Sequence, residues 1–218
     1  MSPVSDFVDG VTNASDLKSE NRKLRQKVTE VKTENKTLEA AANENQRLRK
    51  LLELVEEINV DSVTARIITG SPSNFETTIQ VNKGSSSDVK VGDPVIEGDG
   101  LVGRVIEVSS SRATVLLIID STSGVGVRDS RSEVAGIAQG ESGSKYMSMQ
   151  FVDPDADVKK GDNVVTSGLQ DGRFPPNIPV ATVKSVKKDP SGLSKNVQLA
   201  PIVDLDRISV VSILRVGR

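Results

Sequence analysis

The stretch Asp88-Val-Lys-Val-Gly-Asp-Pro-Val95 returns later in the chain as Asp157-Val-Lys-Lys-Gly-Asp-Asn-Val164. Each copy places Gly and Asp at a tight reversal that leads into a β-strand. The reversal requires Gly92 or Gly161 to take a backbone angle that side-chain-bearing residues resist. Further on, Leu101-Val-Gly-Arg-Val-Ile-Glu-Val108 corresponds to Pro179-Val-Ala-Thr-Val-Lys-Ser-Val186, after a longer loop in the second copy. Two related units are therefore expected, divided near Ser121–Ser123. Aligning them leaves two strands unmatched, one around Val125–Val127 and the final one. Either can complete the neighbouring unit.

The residues around these repeats read as short strands. Runs rich in Val, Ile and Thr alternate in polarity and are separated by Gly, Ser, Asp, Asn and Pro. The expected strands are 62–69, 76–81, 94–97, 101–108 and 113–119, then 124–128, 134–138, 146–152, 163–166, 178–186, 196–201 and 207–216. No helical pattern longer than a turn interrupts them. The fold class is therefore mainly β with an N-terminal coiled-coil helix, the β part being two small antiparallel barrel or sandwich domains. The first is expected over 60–122 and the second over 123–218, with the last strand free to return to the first. Domains this small are marginal alone, so the two are expected to pack together.

Ahead of the β region lies a stalk. From Asp16 to about Ile58 there is no Gly or Pro, good helix formers dominate, and Ser15 or Asp16 can cap the N-terminus. Residues 1–14 are expected to be a flexible lead-in and 15–58 a dimerisation helix roughly 60 Å long at 1.5 Å per residue. Leu17, Leu24, Val31 and Leu38 recur every seven residues, and Asn21, Val28, Asn35 and Ala42 fall between them. This is the a/d seam of a coiled coil, with Leu mostly at d. After Ala42 the pattern slips: Asn45 takes the d slot, and Leu48, Leu51, Leu52, Val55 and Ile58 fit a shifted register, as in a stutter. Asn at a favours a parallel pair, because Asn21 and Asn35 each meet their own copies. Flanking charges are mixed, since Glu20 would face Arg25 but Lys27 would face Lys32 and Glu34 would face Glu39. Exposed ion pairs are worth about 0–1 kcal/mol and a buried unpaired amide costs about 1–3 kcal/mol. The amide effect is larger, so the expected state is a parallel homodimer, open to higher assembly.

Composition excludes several activities. The chain has 28 Lys and Arg against 30 Asp and Glu, and aromatics are 2% of residues. Neither phosphate attraction nor base stacking is supplied, so no nucleic-acid partner is expected. With no Cys and no His, thiolate nucleophiles, Cys-ligated zinc and every His-based catalytic arrangement are gone. No catalytic, cofactor-binding or metal-binding residue is assigned, no cofactor is expected, and the chain is read as a non-enzyme. Asp153-Pro-Asp155-Ala-Asp157 resembles the start of a calcium loop, but Val158 and Val164 occupy the positions of its Gly and closing acid. Gly140-Glu-Ser-Gly-Ser-Lys145 has the wrong spacing for a phosphate loop and reads as a hairpin tip.

One loop stands out as a partner contact. In Gly172-Arg-Phe-Pro-Pro-Asn-Ile-Pro179, Phe174 lies among polar residues and is followed by Pro175 and Pro176. A stiff loop with an apolar tip loses little entropy on binding. The competing reading puts Phe174 in the core of the second domain, where scarce phenylalanines more often sit.

Several segments resemble the family of bacterial cell shape-determining proteins called MreC. They are Asn82-Lys-Gly-Ser-Ser-Ser-Asp-Val-Lys-Val-Gly-Asp-Pro-Val95, Gly98-Asp-Gly-Leu-Val-Gly-Arg-Val105, Asp157-Val-Lys-Lys-Gly-Asp-Asn-Val-Val-Thr-Ser-Gly-Leu169, Phe174-Pro-Pro-Asn-Ile-Pro-Val180 and Asp204-Leu-Asp-Arg207. Their order and spacing match together, behind a coiled coil. Asn177 and Ala181 stand where the family commonly has Gly. The resemblance implies a protein anchored by a membrane helix preceding this chain, with this part on the extracytoplasmic, periplasmic side. It further implies a scaffold that organises the peptidoglycan elongation machinery and maintains cell shape. Its implied partners are MreD, RodA and a class B penicillin-binding protein. On this reading the β-domain surfaces dock the synthase or further copies, including through strand edges. The rival is a periplasmic adaptor subunit of an export system. Adaptors need a helical hairpin inserted within a β-domain, whereas here a single helix precedes every strand.

Overall fold

A computed structural model describes the backbone of residues 5–58, 60–69, 77–98, 100–169, 174–188 and 194–216, with helix side chains from 21 to 55. The chain divides into two compact units, 1–46 and 47–218.

Helix α1 runs Ser5–Ile58. It begins within the stretch expected to be a flexible lead-in. Past Pro3 nothing but Gly10 opposes a helix, and one interior Gly costs only about 1 kcal/mol. In the first unit the seam residues face solvent. Leu24 is 57% exposed, Val28 51%, Val31 47% and Leu38 60%, with Asn21 and Asn35 also exposed. The side chain of Leu17 lies outside the described residues.

The last turns of α1 belong to the second unit and have a different task. Leu51 is buried in its core, with Leu54 and Val55 packed partly against it. After the slip at Ala42, Leu51, Leu54 and Val55 turn to their own β-unit, while Leu48 and Leu52 stay exposed. Gly98 permits the approach, because a Cβ there would sit 2.7 Å from the Arg47 carbonyl oxygen. Arg47 also donates to the Arg207 carbonyl at 3.1 Å.

Among the described residues, twelve antiparallel strands build two closed six-stranded barrels. The first contains β1 (Ser62–Thr69), β2 (Thr78–Val81), β3 (Pro94–Glu97), β4 (Gly100–Val108), β5 (Ala113–Leu117) and β12 (Val210–Leu214) in the order β1-β12-β3-β4-β5-β2. The second contains β6 (Gly124–Asp129), β7 (Ala135–Gly140), β8 (Met147–Gln150), β9 (Asn163–Thr166), β10 (Pro179–Lys188) and β11 (Lys195–Pro201) in the order β10-β11-β8-β7-β6-β9. Inward residues at alternate positions fill each lumen, among them Ile79, Val95, Val105, Val115 and Ile213 in one and Val127, Met149, Val164, Val183 and Leu199 in the other. The barrels touch where β4 meets β10. A side chain at Gly100 would collide with the Pro179 carbonyl.

The two barrels share one topology, related by a permutation. Pairing β3 with β9 and β4 with β10, as the sequence repeat dictates, also pairs β5 with β11, β2 with β8 and β1 with β7. One strand then remains in each barrel. In the second it is β6, which precedes the rest. In the first it is β12, at the far end of the sequence, where it lies between β1 and β3. The two strands without counterparts are therefore the same strand, placed on opposite sides of the repeat.

The repeated reversal is superimposable in its bonding. Gly92 N–H donates to Val105 O at 2.9 Å and Gly161 N–H to Val183 O at 2.8 Å. Asp93 and Asp162 accept from the N–H groups of Lys90 and Lys159 through Oδ2, at 2.9 and 2.8 Å. The glycines have φ of +99° and +94°, in the region that disfavours side chains.

Candidate functional site

The proposed loop anchor is not at the surface. Phe174 is 3% exposed and belongs to the core, so the alternative reading of this residue holds. Pro175 is half-buried and its carbonyl accepts from Thr166 Oγ1 at 2.5 Å, while Pro176 is exposed. The apolar ring packs inward because its contact area is worth about 1.5–3 kcal/mol once removed from water. Asn177 takes φ +69°, a left-handed conformation that Asn tolerates better than most residues, and its Oδ1 accepts from Arg128 at 2.5 Å.

Closure of both barrels removes the strand edges expected to serve as docking sites. Each described strand has neighbours on both sides. The Asp153–Asp157 segment forms a turn, in which Asp153 Oδ1 accepts from the N–H of Asp155 at 2.9 Å. Asp157 instead pairs with Arg131 at 2.7 Å and Lys159 at 3.1 Å. Among the described residues no group of three or more acidic side chains is placed to hold a metal. Gly140–Lys145 connects β7 to β8 and is a hairpin tip, as its spacing implied.

Arg131 illustrates a clamp that sequence reading missed. It follows β6, lies between Asp157 and Asp162, and donates to Asp162 at 2.7 and 3.1 Å. In the first barrel Arg215 follows the permuted strand β12 and reaches Asp88 at 3.7 Å as well as Asp61 at 2.8 Å. Asp88 and Asp157 are the opening residues of the two repeat copies. Each barrel thus ties its sixth strand to the start of its repeated turn with an arginine. Only the permutation, invisible without strand order, makes the correspondence apparent.

The Arg131 guanidinium holds the Asp162 carboxyl well below the usual carboxylate range, aided by the Lys159 N–H and Asp129 and opposed by burial. Asp157 is lowered mainly by Arg131 and then by Lys159. Groups with depressed folded pKa values stabilise at neutral pH and lose that contribution as pH falls below about 4 through their folded values. Thermal unfolding of the intact chain is expected to move to lower temperature on acidification through this window. In Arg131→Ala the chain is less stable at pH 7 and the acid-induced decline flattens or reverses, which a pH series of melting curves would check.

A second missed residue is Phe151. It is 77% exposed and has φ +62°, so an aromatic ring is held out into solvent by a backbone conformation that bulky L-residues resist. Nothing in its sequence context, a run from β8 into a turn, distinguishes it from a core phenylalanine.

A family model described as rod shape-determining protein MreC, barrel core, matches residues 67–215. The chain belongs to the MreC family. The MreC of Haemophilus influenzae is 34% identical over 212 residues, which cover 95% of this chain and 60% of that protein. This chain therefore spans about three fifths of the length of that relative. The crystal structure of MreC from Pseudomonas aeruginosa is 35% identical with a TM-score of 0.66, covering 71% of this chain and 99% of the other. The MreC fold also recurs, at 19% identity and a TM-score of 0.55, in a complex between a penicillin-binding protein (PBP2) and MreC from Helicobacter pylori, covering 71% of this chain and 99% of that one. The curated MreC relatives are named as cell shape-determining proteins. Among the described residues no helix is long and apolar enough to cross a membrane.

Proposed function

We propose that this MreC chain is a non-catalytic scaffold that pairs through its stalk and organises the peptidoglycan elongation machinery. The observation that carries the pairing is the stripe of Leu24, Val28, Val31 and Leu38, each about half exposed along the helix. A row of that kind is stabilised by burial against a second copy. Leu17, Asn21 and Asn35 complete the dimerisation seam, with the asparagines fixing a parallel register. The fold shared with the Helicobacter pylori complex supports a class B penicillin-binding protein as partner; MreD and RodA follow from the family role. The work takes place on the periplasmic side of the cytoplasmic membrane, with the chain anchored by a helix outside it, and bond-making chemistry belongs to the synthase.

Because the chain lacks Cys, single Asn21→Cys and Asn35→Cys variants report pairing cleanly. A parallel dimer cross-links with itself at both positions; absence of product at both rules out this arrangement. The whole chain used as bait on an envelope extract is expected to retain a cell-wall synthase. Recovery of an export-pump subunit in its place would overturn the functional reading.

A further inference from the structure

Two adjoining rows on the outer face of the second barrel are poor in charge. Strand register places Ser185 opposite Gln198, Gln198 opposite Ser148, and Ser148 opposite Gln139, so one row of uncharged polar side chains crosses four neighbouring strands. A second row two residues along contains Lys187 opposite Asn196 on β10 and β11, and Gln150 opposite Ile137 on β8 and β7. Charged residues make up 27% of the chain, yet across these two rows Lys187, at the margin, is the single charge. Ser148, Gln150 and Asn196 also line an open groove of about 660 Å³ whose rim carries Phe151. That volume falls in the roughly 300–1,000 Å³ range of small-ligand sites.

We propose that this face binds a neutral polyhydroxylated chain, a β-linked glycan strand. A pyranose ring presents hydroxyls around its rim and an apolar C–H face. Planar amides offer both donors and acceptors to the first, and an exposed aromatic ring stacks on the second. Gln139 is engaged at both ends, donating to the Ser121 carbonyl at 2.5 Å and accepting from the Gln150 NH₂ at 2.7 Å, which leaves the Gln150 carbonyl oxygen, Asn196 and Gln198 to meet a ligand. The nearby Lys195 ammonium is already engaged by the Ala156 carbonyl at 2.5 Å. The two charged residues lining the groove, Asp153 and Lys195, are of opposite sign and offer an anionic polymer no net attraction, while Lys187 and Lys188 lie at the end of the β10–β11 hairpin. An apolar protein surface would strip water from these amides and leave them unpaired. Small antiparallel barrels elsewhere bind oligosaccharides on a strand face in the same manner. Phe151 completes the site, because its left-handed backbone aims the ring outward when burial would otherwise claim it.

The choice of a β-linked glycan rests on the proposed cell-wall role, while the site itself is independent of stalk pairing and of synthase docking. The whole chain would be titrated with a β-1,4-linked N-acetylglucosamine hexamer, the monomer and maltohexaose, following amide chemical shifts. Saturable shifts centred on Ser148, Gln150, Phe151, Asn196 and Gln198 are expected with the β-linked hexamer, at lower concentration than with the monomer. Phe151→Gly removes the ring while suiting φ +62°. It should weaken hexamer binding about five- to tenfold without lowering the melting temperature, whereas a structural role would lower it. No saturable shift with the hexamer, shifts confined to another face, preference for maltohexaose, or unchanged affinity in Phe151→Gly would each overturn the proposal. None of these outcomes bears on whether the stalk pairs.

Discussion

Removing residues 210–218 is expected to unfold the first barrel. The lost segment carries β12, which pairs with β1 at five positions, Ser62↔Leu214 to Arg66↔Val210, and with β3 at Ser212↔Ile96 and Ile213↔Val95. Val211, Ile213 and Leu214 are each wholly buried. At about 1.5–3 kcal/mol per apolar side chain their loss alone rivals the roughly 5–15 kcal/mol stability of a whole domain. The same cut opens β1 and β3 as exposed edges, which invites aggregation. It also removes Arg215 and leaves Asp61 and Asp88 without their guanidinium. The second barrel, contiguous from Gly124 to Pro201, should keep dispersed amide signals while those of β1 to β5 collapse. Retention of both sets after truncation would show that β12 is not the closing strand.

The other large effect concerns the stalk. Leu24→Asp together with Leu38→Asp places like charges opposite each other at two d positions of a parallel pair and removes apolar contact there. Core Leu truncations cost about 2–5 kcal/mol each, so dimer affinity should fall by at least roughly a hundredfold. Far-UV helicity should fall too, because most of the stability of such a helix comes from packing its apolar seam. Melting of the barrel unit, which uses Leu51, Leu54 and Val55 instead, should hardly change. Unchanged association in the double variant would mean that copies meet elsewhere.

Much of this architecture was legible in residues. Alternating Val, Ile and Thr between turn formers marked twelve strands in the right order, because half-buried strands print a two-residue period on the sequence. The repeated Gly-Asp reversal fixed two related units, since φ near +95° admits few residues but Gly. The sharing of β12 was only one of two readings, because strand order is a long-range property that local pattern does not encode. For the same reason Leu51 and Val55 looked like coiled coil: a heptad position records that a side chain must be buried, not against what. Phe174 and Phe151 show the limit most directly. Both lie in turn-rich segments, yet one fills the core and the other projects into solvent. The difference is set by the bonding of Pro175 and Ile178 to Thr166 in one case and by a single left-handed residue in the other.

Sedimentation equilibrium of the 218-residue chain over a wide concentration range tests pairing through the stalk most directly. The expected weight-average mass climbs with concentration to twice 23.2 kDa, and the Leu24→Asp, Leu38→Asp variant stays at the single-chain value. A wild-type mass fixed at 23.2 kDa at every concentration would contradict it.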